Sequence, residues 1–190
     1  VVENISNMSL REFSDKNIFE PLQMSDSFFN DNVNLIVKNR TDAYSPRENY
    51  PHEYEINMTN LSNVGDGGVY TTINDFIKWD HNFYQNKLGN KESDLIRTME
   101  QNFFKKSAIT SRQNNKAYRD EDTYAFAQNF DYKNGKRRWS HSGSWVGYTA
   151  NYSRFEDLRF SVMVFCNNEG IDASEISDKI IDLYFKGSTQ

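Results

Sequence analysis

The densest apolar run in the chain, Phe160 followed by Val162, Met163, Val164, Phe165 and Cys166, has the short continuous pattern of a strand covered on both faces. The polar cluster Asn167-Asn168-Glu169-Gly170 stops it. Tyr148–Phe155 precedes it across Glu156-Asp157-Leu158, so Tyr148–Phe155 and Arg159–Phe165 are expected as two antiparallel strands. Upstream, Tyr124–Phe130 alternates like a strand, and Lys133-Asn134-Gly135-Lys136 carries the Asn-Gly core of a hairpin turn. The strand leaving that turn runs through Trp139 into a polar, glycine-rich corner, His141-Ser142-Gly143-Ser144-Trp145-Val146-Gly147.

Helical periodicity occupies the rest. Ser9-Leu10-Arg11-Glu12 spells a capping box, Leu10 and Phe13 supply an apolar stripe, and Pro21 is expected to end that helix, with Phe19–Met24 leaving in an extended turn. Val33–Val37 reads as a short strand, and Lys38–Asn63 as a long polar connection of the kind that is often functional. Gly65-Asp66-Gly67-Gly68 is a turn ahead of a helix capped by Thr72 with Asp75 at N3, with Ile73, Phe76, Ile77, Phe83 and Tyr84 at helical spacing and Gly89 as its stop. A third helix is expected over about Ser93–Phe103, a charged loop over 105–122, and a last helix from Asp172 to Gly187 with Ile176, Ile180, Leu183 and Tyr184 on one face. The order predicts an α+β fold: a helical and loop-rich region over 1–122, then about three antiparallel strands packed by a terminal helix over 123–190, as a single partial domain.

Composition narrows the class. A chain of 190 residues, 37% hydrophobic and 15% aromatic, is globular and large enough for one core. A net charge of -5, with the basic residues scattered, gives no footprint for nucleic acid. No apolar run reaches the roughly 20 residues of a membrane span. The one cysteine, Cys166, sits inside an apolar strand and suits core packing. The first residue is Val1 and no leader pattern follows it, so the chain is expected to be a piece of something longer.

Candidate chemistry is sparse. His52, His81 and His141 lack metal-ligand spacing, and neither a metal nor a cofactor is expected. The GDGG turn matches neither nucleotide fingerprint and reads as turn geometry. The His141 corner fits two descriptions from its residues alone. A small-residue strand with a histidine and two hydroxyls lets a ligand backbone approach and pair along the edge; a plain hairpin whose glycines serve geometry has the same composition.

Taken together, the segments LREFSDKNIFEPLQM (10–24), GDGGVYTTINDFIKW (65–79) and WSHSGSWVGYTANYSRFEDLRFSVMVFCNNEG (139–170) resemble the serine β-lactamase and penicillin-binding protein family, more narrowly its class C β-lactamase, D-aminopeptidase and esterase branch. The resemblance implies the C-terminal portion of the β-lactamase/transpeptidase-like fold. That family uses an S-x-x-K serine and lysine, a Y-x-N tyrosine, and a third motif, K-T-G or H-x-G, which maps onto His141-Ser142-Gly143. By resemblance, His141 replaces the usual lysine and helps bind a substrate carboxylate, with Ser142 bonding the same group. Gly143 lets substrate backbone lie against the strand, the Ser144 N–H is one oxyanion donor, and Trp145 walls the pocket.

No serine here has a lysine three positions later. Tyr84-Gln85-Asn86 and Tyr132-Lys133-Asn134 spell Y-x-N, but the first closes a helix and the second is a hairpin turn. The expectation is therefore part of a β-lactamase-like serine hydrolase acting on a β-lactam, a D-amino-acid peptide or amide, or a small ester, and inactive alone. The alternative is a non-catalytic module of the same fold that binds a peptide or cell-wall fragment. Expected partners are a small-molecule or short peptide substrate, and either a missing N-terminal half or a second copy to cover the sheet. The family resemblance implies a periplasmic or cell-surface location.

Overall fold

The structure, a computed structural model, describes residues 1–88, 95–100, 104–105 and 123–187. It divides into two compact units, Val1–Arg40 with Thr59–Thr98, and Thr41–Met58 with Met99–Gln190.

The first unit is mainly helical. After a short α1 (Val2–Ser6), α2 (Leu10–Ser14) opens on the expected capping box: Ser9 Oγ accepts from the Glu12 amide at 3.1 Å, and Glu12 accepts from the Ser9 amide at 2.8 Å. Pro21 does not end the helix. The backbone stays helical through a π-helical turn (Asp15–Phe19) into α3 (Glu20–Leu22), and Pro21 sits next to the last residue of that run. Gln23, in the left-handed conformation at φ 61°, ends it.

Phe19, Leu22 and Met24 form the buried core of this unit, with Ile18, Phe29, Trp79 and Leu88 against them. Two short strands, β1 (Phe28–Phe29) and β4 (Val69–Tyr70), pair antiparallel. Val33–Val37 is not a strand: the Asn34 amide donates to Asn32 Oδ1 at 3.0 Å, a local turn that leaves Ile36 almost fully exposed.

Helix α4 (Ile73–Gln85) begins at Thr72 as expected, with the Asp75 amide on Thr72 Oγ1. It stops earlier than Gly89, which lies outside the described residues, because Asn86 takes the left-handed conformation at φ 46°. Its buried positions include two polar ones, Asp75 and Asn82, alongside Phe83, while Ile73 and Ile77 are exposed. Asp75 accepts from the Asp26 amide (2.7 Å), Ser27 Oγ (2.9 Å) and Lys78 Nζ (2.7 Å), and so ties α4 to the chain after α3. Of the third expected helix, α5 (Leu95–Met99) is described; its expected ends at residues 93 and 103 lie outside the described residues, as does the loop expected over 105–122 except for Lys105, which is in a strand.

Among the described residues the second unit is built on a six-stranded antiparallel sheet, wider than the expected three, in the order β10-β9-β8-β7-β6-β5. The strands are β5 (Phe104–Lys105), β6 (Thr123–Ala125), β7 (Gln128–Lys133), β8 (Lys136–Trp145), β9 (Tyr148–Phe155) and β10 (Phe160–Cys166). Two of them replace the single strand expected over Tyr124–Phe130, because Phe126 and Ala127 both take positive φ, 45° and 61°, and fold the chain back so that Ala125 faces Gln128. The Asn134-Gly135 turn forms as expected, with φ 52° and 73°.

Helix α6 (Ala173–Gly187) lies on one face of the sheet, where Phe155, Val162 and Ile181 make the core with Phe160, Val164 and Phe185. Its fully buried residues are Ala173, Ser177 and Ile181, not the expected apolar face, since small side chains let the helix approach the strands closely. Ile180, Leu183 and Tyr184 are left 42%, 69% and 45% exposed. Within Lys38–Asn63, a small hairpin of β2 (Tyr44–Pro46) and β3 (Tyr54–Ile56) interrupts the expected irregular connection.

Candidate functional site

Strand β8 sits inside the sheet, but its two neighbours differ in length. β9 pairs with it from Trp139↔Arg154 to Trp145↔Tyr148. β7 pairs with it only as far as Asn129↔Ser140. His141–Trp145 therefore runs past the end of β7, and among the described residues no strand pairs with that side of it.

The phase of the ladder decides what this open edge offers. The closing pair of a two-residue hairpin exchanges main-chain hydrogen bonds, and the rungs alternate from there. Trp145 and Tyr148 close the β8–β9 hairpin, so His141 and Gly143 are bonded to β9 while Ser142 and Ser144 turn their N–H and C=O groups away from it. The β7–β8 hairpin, closed by Lys133 and Lys136, has the complementary phase: Ser140 is bonded to β7. Ser142 and Ser144 thus point their main-chain groups along the edge that β7 has vacated.

Side chains alternate independently of this. His141, Gly143 and Trp145 share one face with Trp139. Ser142 and Ser144 lie on the other, where Asn151, opposite Ser142, donates to Ser174 Oγ of α6 at 3.2 Å. His141, Ser142, Gly143 and Ser144 are all exposed, and Trp145 is half-buried. The five residues are thus contiguous on one open strand, but the His141 and Ser142 side chains leave it on opposite faces.

Residues that the motif did not single out complete the surroundings. The Tyr124 hydroxyl lies 3.5 Å from His141 Nε2, with ring centroids 6.2 Å apart. On the face bearing Trp139, the side chain of Arg154 is fully buried and meets the Glu100 carboxylate at 2.7 Å. Burial pushes the Glu100 carboxyl above its ordinary value, and the hydrogen bond and charge of Arg154 offset only part of this. Beyond Trp145, the Val146-Gly147 turn is held by Glu169 and by the 41–58 segment. These partners are distant in sequence and carry no motif. Among the described residues no group of three His, Cys, Asp or Glu side chains is arranged to hold a metal ion.

A family model described as Beta-lactamase matches residues 1–184. The chain belongs to the beta-lactamase family. No curated protein matches it. Among solved structures, this beta-lactamase-family chain is similar to an octameric penicillin-binding protein homologue from Pyrococcus abyssi (21% identity, TM-score 0.79, 97% of this chain and 40% of that one). It is also similar to a penicillin binding protein from Bacillus halodurans (18%, 0.73, 96% and 52%) and to the D-amino acid amidase from Ochrobactrum anthropi SV3 (14%, 0.68, 100% and 55%). The shared fold is the β-lactamase/transpeptidase-like one, and the chain spans about half the length of these proteins.

Neither Y-x-N triplet departs from ordinary structure in the beta-lactamase-family chain. Tyr84-Gln85-Asn86 ends α4 in the first unit. Tyr132-Lys133-Asn134 enters the β7–β8 turn in the second, where Asn134 donates to Asp182 at 2.9 Å. Among the described residues no helix is long and apolar enough to cross a membrane.

Proposed function

We propose that this chain is part of an acyl-serine hydrolase, one partial domain that supplies the third-motif strand of the active site and not the nucleophile. The observation that carries this is the outward-turned main chain of Ser142 and Ser144 beyond the end of β7. An extended substrate pairs along that edge, with Gly143 allowing its backbone to approach. The Ser144 N–H serves as one of two oxyanion donors, a contact whose loss costs about 10²–10³ in rate. His141 and Ser142 receive a substrate carboxylate from the two sides of the edge, and Trp145 walls the pocket.

The reaction is acyl transfer to water: a serine oxygen attacks the acyl carbon, the amine or alcohol leaves with a proton, and water then splits the ester to free the acid and the serine. Serine, lysine and the Y-x-N tyrosine belong to segments outside this sequence, so this chain alone forms no acyl-enzyme. Candidate substrates are a β-lactam, a D-amino-acid peptide or amide, or a small ester, with His141 in place of lysine favouring the peptidase and esterase branch. Nitrocefin and p-nitrophenyl acetate test this. The 190-residue chain shows no turnover, and a longer product carrying S-x-x-K shows turnover that serine-to-alanine replacement removes. Turnover by the pure chain that vanishes on replacing one of its own serines would overturn the assignment.

The open edge also suits one other reading, a non-catalytic module binding a peptide or cell-wall fragment. A longer product that lacks S-x-x-K yet binds N-acetyl-D-Ala-D-Ala selects it. In either case the outer edge of β10 and the exposed Ile180, Leu183 and Tyr184 are covered in the whole protein, by its remaining segments or by a second copy. A monodisperse 22.3 kDa monomer of this chain would contradict that. The family resemblance supports a periplasmic or cell-surface setting.

A further inference from the structure

The turn that follows the candidate strand is held from outside its own hairpin. Gly147 is buried at φ 72°, and a Cβ placed there would fall on the Asn57 carbonyl oxygen and stand 2.5 Å from the Ala43 Cβ. The 41–58 segment therefore lies directly against the turn, with Ala43 fully buried beneath it. One carboxylate joins the two: Glu169 Oε2 accepts from the Gly147 amide at 2.9 Å and from Asn57 Nδ2 at 3.0 Å.

Other bonds fasten the same segment on either side of the turn. Tyr148 donates its hydroxyl to the Thr41 carbonyl at 2.6 Å, Asn167 Nδ2 donates to the Asp42 carbonyl at 3.0 Å, and Tyr44 exchanges main-chain bonds of 3.0 Å with Asn167 and Glu169. A hairpin turn projecting past its neighbours ordinarily frays, because few contacts oppose local opening. Here Glu169 supplies the only side-chain acceptor described for the Gly147 amide.

We infer that Glu169 is a positioning residue: by clamping Gly147 to Asn57 it fixes the end of β8, and with it the Ser144 main chain and the Trp145 ring. The mechanical part of this inference stands on the geometry above; its consequence for substrate rests on the acyl-hydrolase reading.

The test uses the whole 190-residue chain labelled with 5-fluorotryptophan, whose three tryptophans, Trp79, Trp139 and Trp145, give three ¹⁹F lines. In Glu169→Ala the Trp145 line shifts and broadens while those of Trp79 and Trp139 stay in place, and exchange of the Gly147 and Trp145 amides quickens about tenfold, as expected for a local opening. Glu169→Gln, whose amide oxygen still accepts from Gly147, restores most of the wild-type signal. Asn57→Ala, which removes one bond to the clamp, gives an intermediate effect. Unchanged lines and exchange in Glu169→Ala overturn the inference, and so does a joint movement of all three lines, which marks general loosening. None of these readouts needs turnover, so failure of the hydrolase assignment would leave them intact and show itself only in the substrate assays.

Discussion

Asn129 faces Ser140 in the last rung between β7 and β8, and its side-chain amide also donates to the Ser140 carbonyl at 3.1 Å. The bond closes the end of the β7 ladder. Beyond it, among the described residues, β8 pairs with β9 alone, and the alternation of its hydrogen bonds becomes an alternation of exposure.

That alternation predicts a pattern of amide exchange. Gly143 and Trp145 are bonded to β9, whereas Ser142 and Ser144 turn outward. The Ser142 and Ser144 amides are expected to exchange about tenfold faster than those of Gly143 and Trp145, as for open against bonded groups in one element. Exchange measured by NMR checks it, and equal protection at the four positions would contradict it.

Two glycines of the same hairpin should respond oppositely to alanine. At Gly147 the positive φ and the blocked Cβ position are expected to cost about 3 kcal/mol. At Gly143 a Cβ would meet only the Ala150 Cβ at an ordinary 3.7 Å, so stability should hold within about 0.5 kcal/mol while the methyl group narrows the open edge. Urea melts give the stabilities, and ligand titration gives the effect on binding.

Two carboxylates predict opposite pH dependences. Burial pushes Asp75 up, but hydrogen bonds from Lys78, Ser27 and the Asp26 amide outweigh it and leave the group below its ordinary value. Its stabilisation is present above the unfolded value of 3.8 and is lost as pH falls below that through the lowered folded one. Glu100 is raised, so its contribution is present below 4.5 and is lost as pH rises through the folded value. Melts followed by Trp79, which packs in the core of the first unit, should weaken below about pH 4 in wild type and much less in Asp75→Asn. An unchanged acid limb in that variant would contradict the assignment.

The Arg154–Glu100 pair should behave as a buried ion pair. Arg154→Met leaves Glu100 buried with no guanidinium beside it and is expected to cost about 3–5 kcal/mol, whereas Arg154→Met with Glu100→Leu should recover most of that. A double-mutant cycle by urea unfolding checks it; additive losses would mean that the two residues act separately.

What the sequence made legible was local. Ser9 with Glu12, Thr72 with Asp75, and the Asn134-Gly135 turn are each decided within a few residues, and each formed as expected. Phe126 and Ala127 turn the chain at positive φ with none of the residues that favour it, because the pairing of β6 with β7 overrides a local cost of about 1–2 kcal/mol per residue. The buried face of α6 escaped because Ala173 and Ser177 are small, which suits close approach to a sheet and leaves little trace in hydrophobicity. The His141 corner was readable as a motif, but the clamp on its turn joins Glu169 to Gly147 and Asn57, 22 and 112 residues away. No spacing rule reaches that far.

The most direct measurement is titration of the ¹⁵N-labelled chain with N-acetyl-D-Ala-D-Ala, followed residue by residue. Amide shifts concentrated at Ser142 and Ser144, with a change in the His141 ring, are the predicted result. Saturating dipeptide that leaves those three residues unmoved, or that moves another part of the molecule instead, would contradict the open edge of β8 as the ligand site.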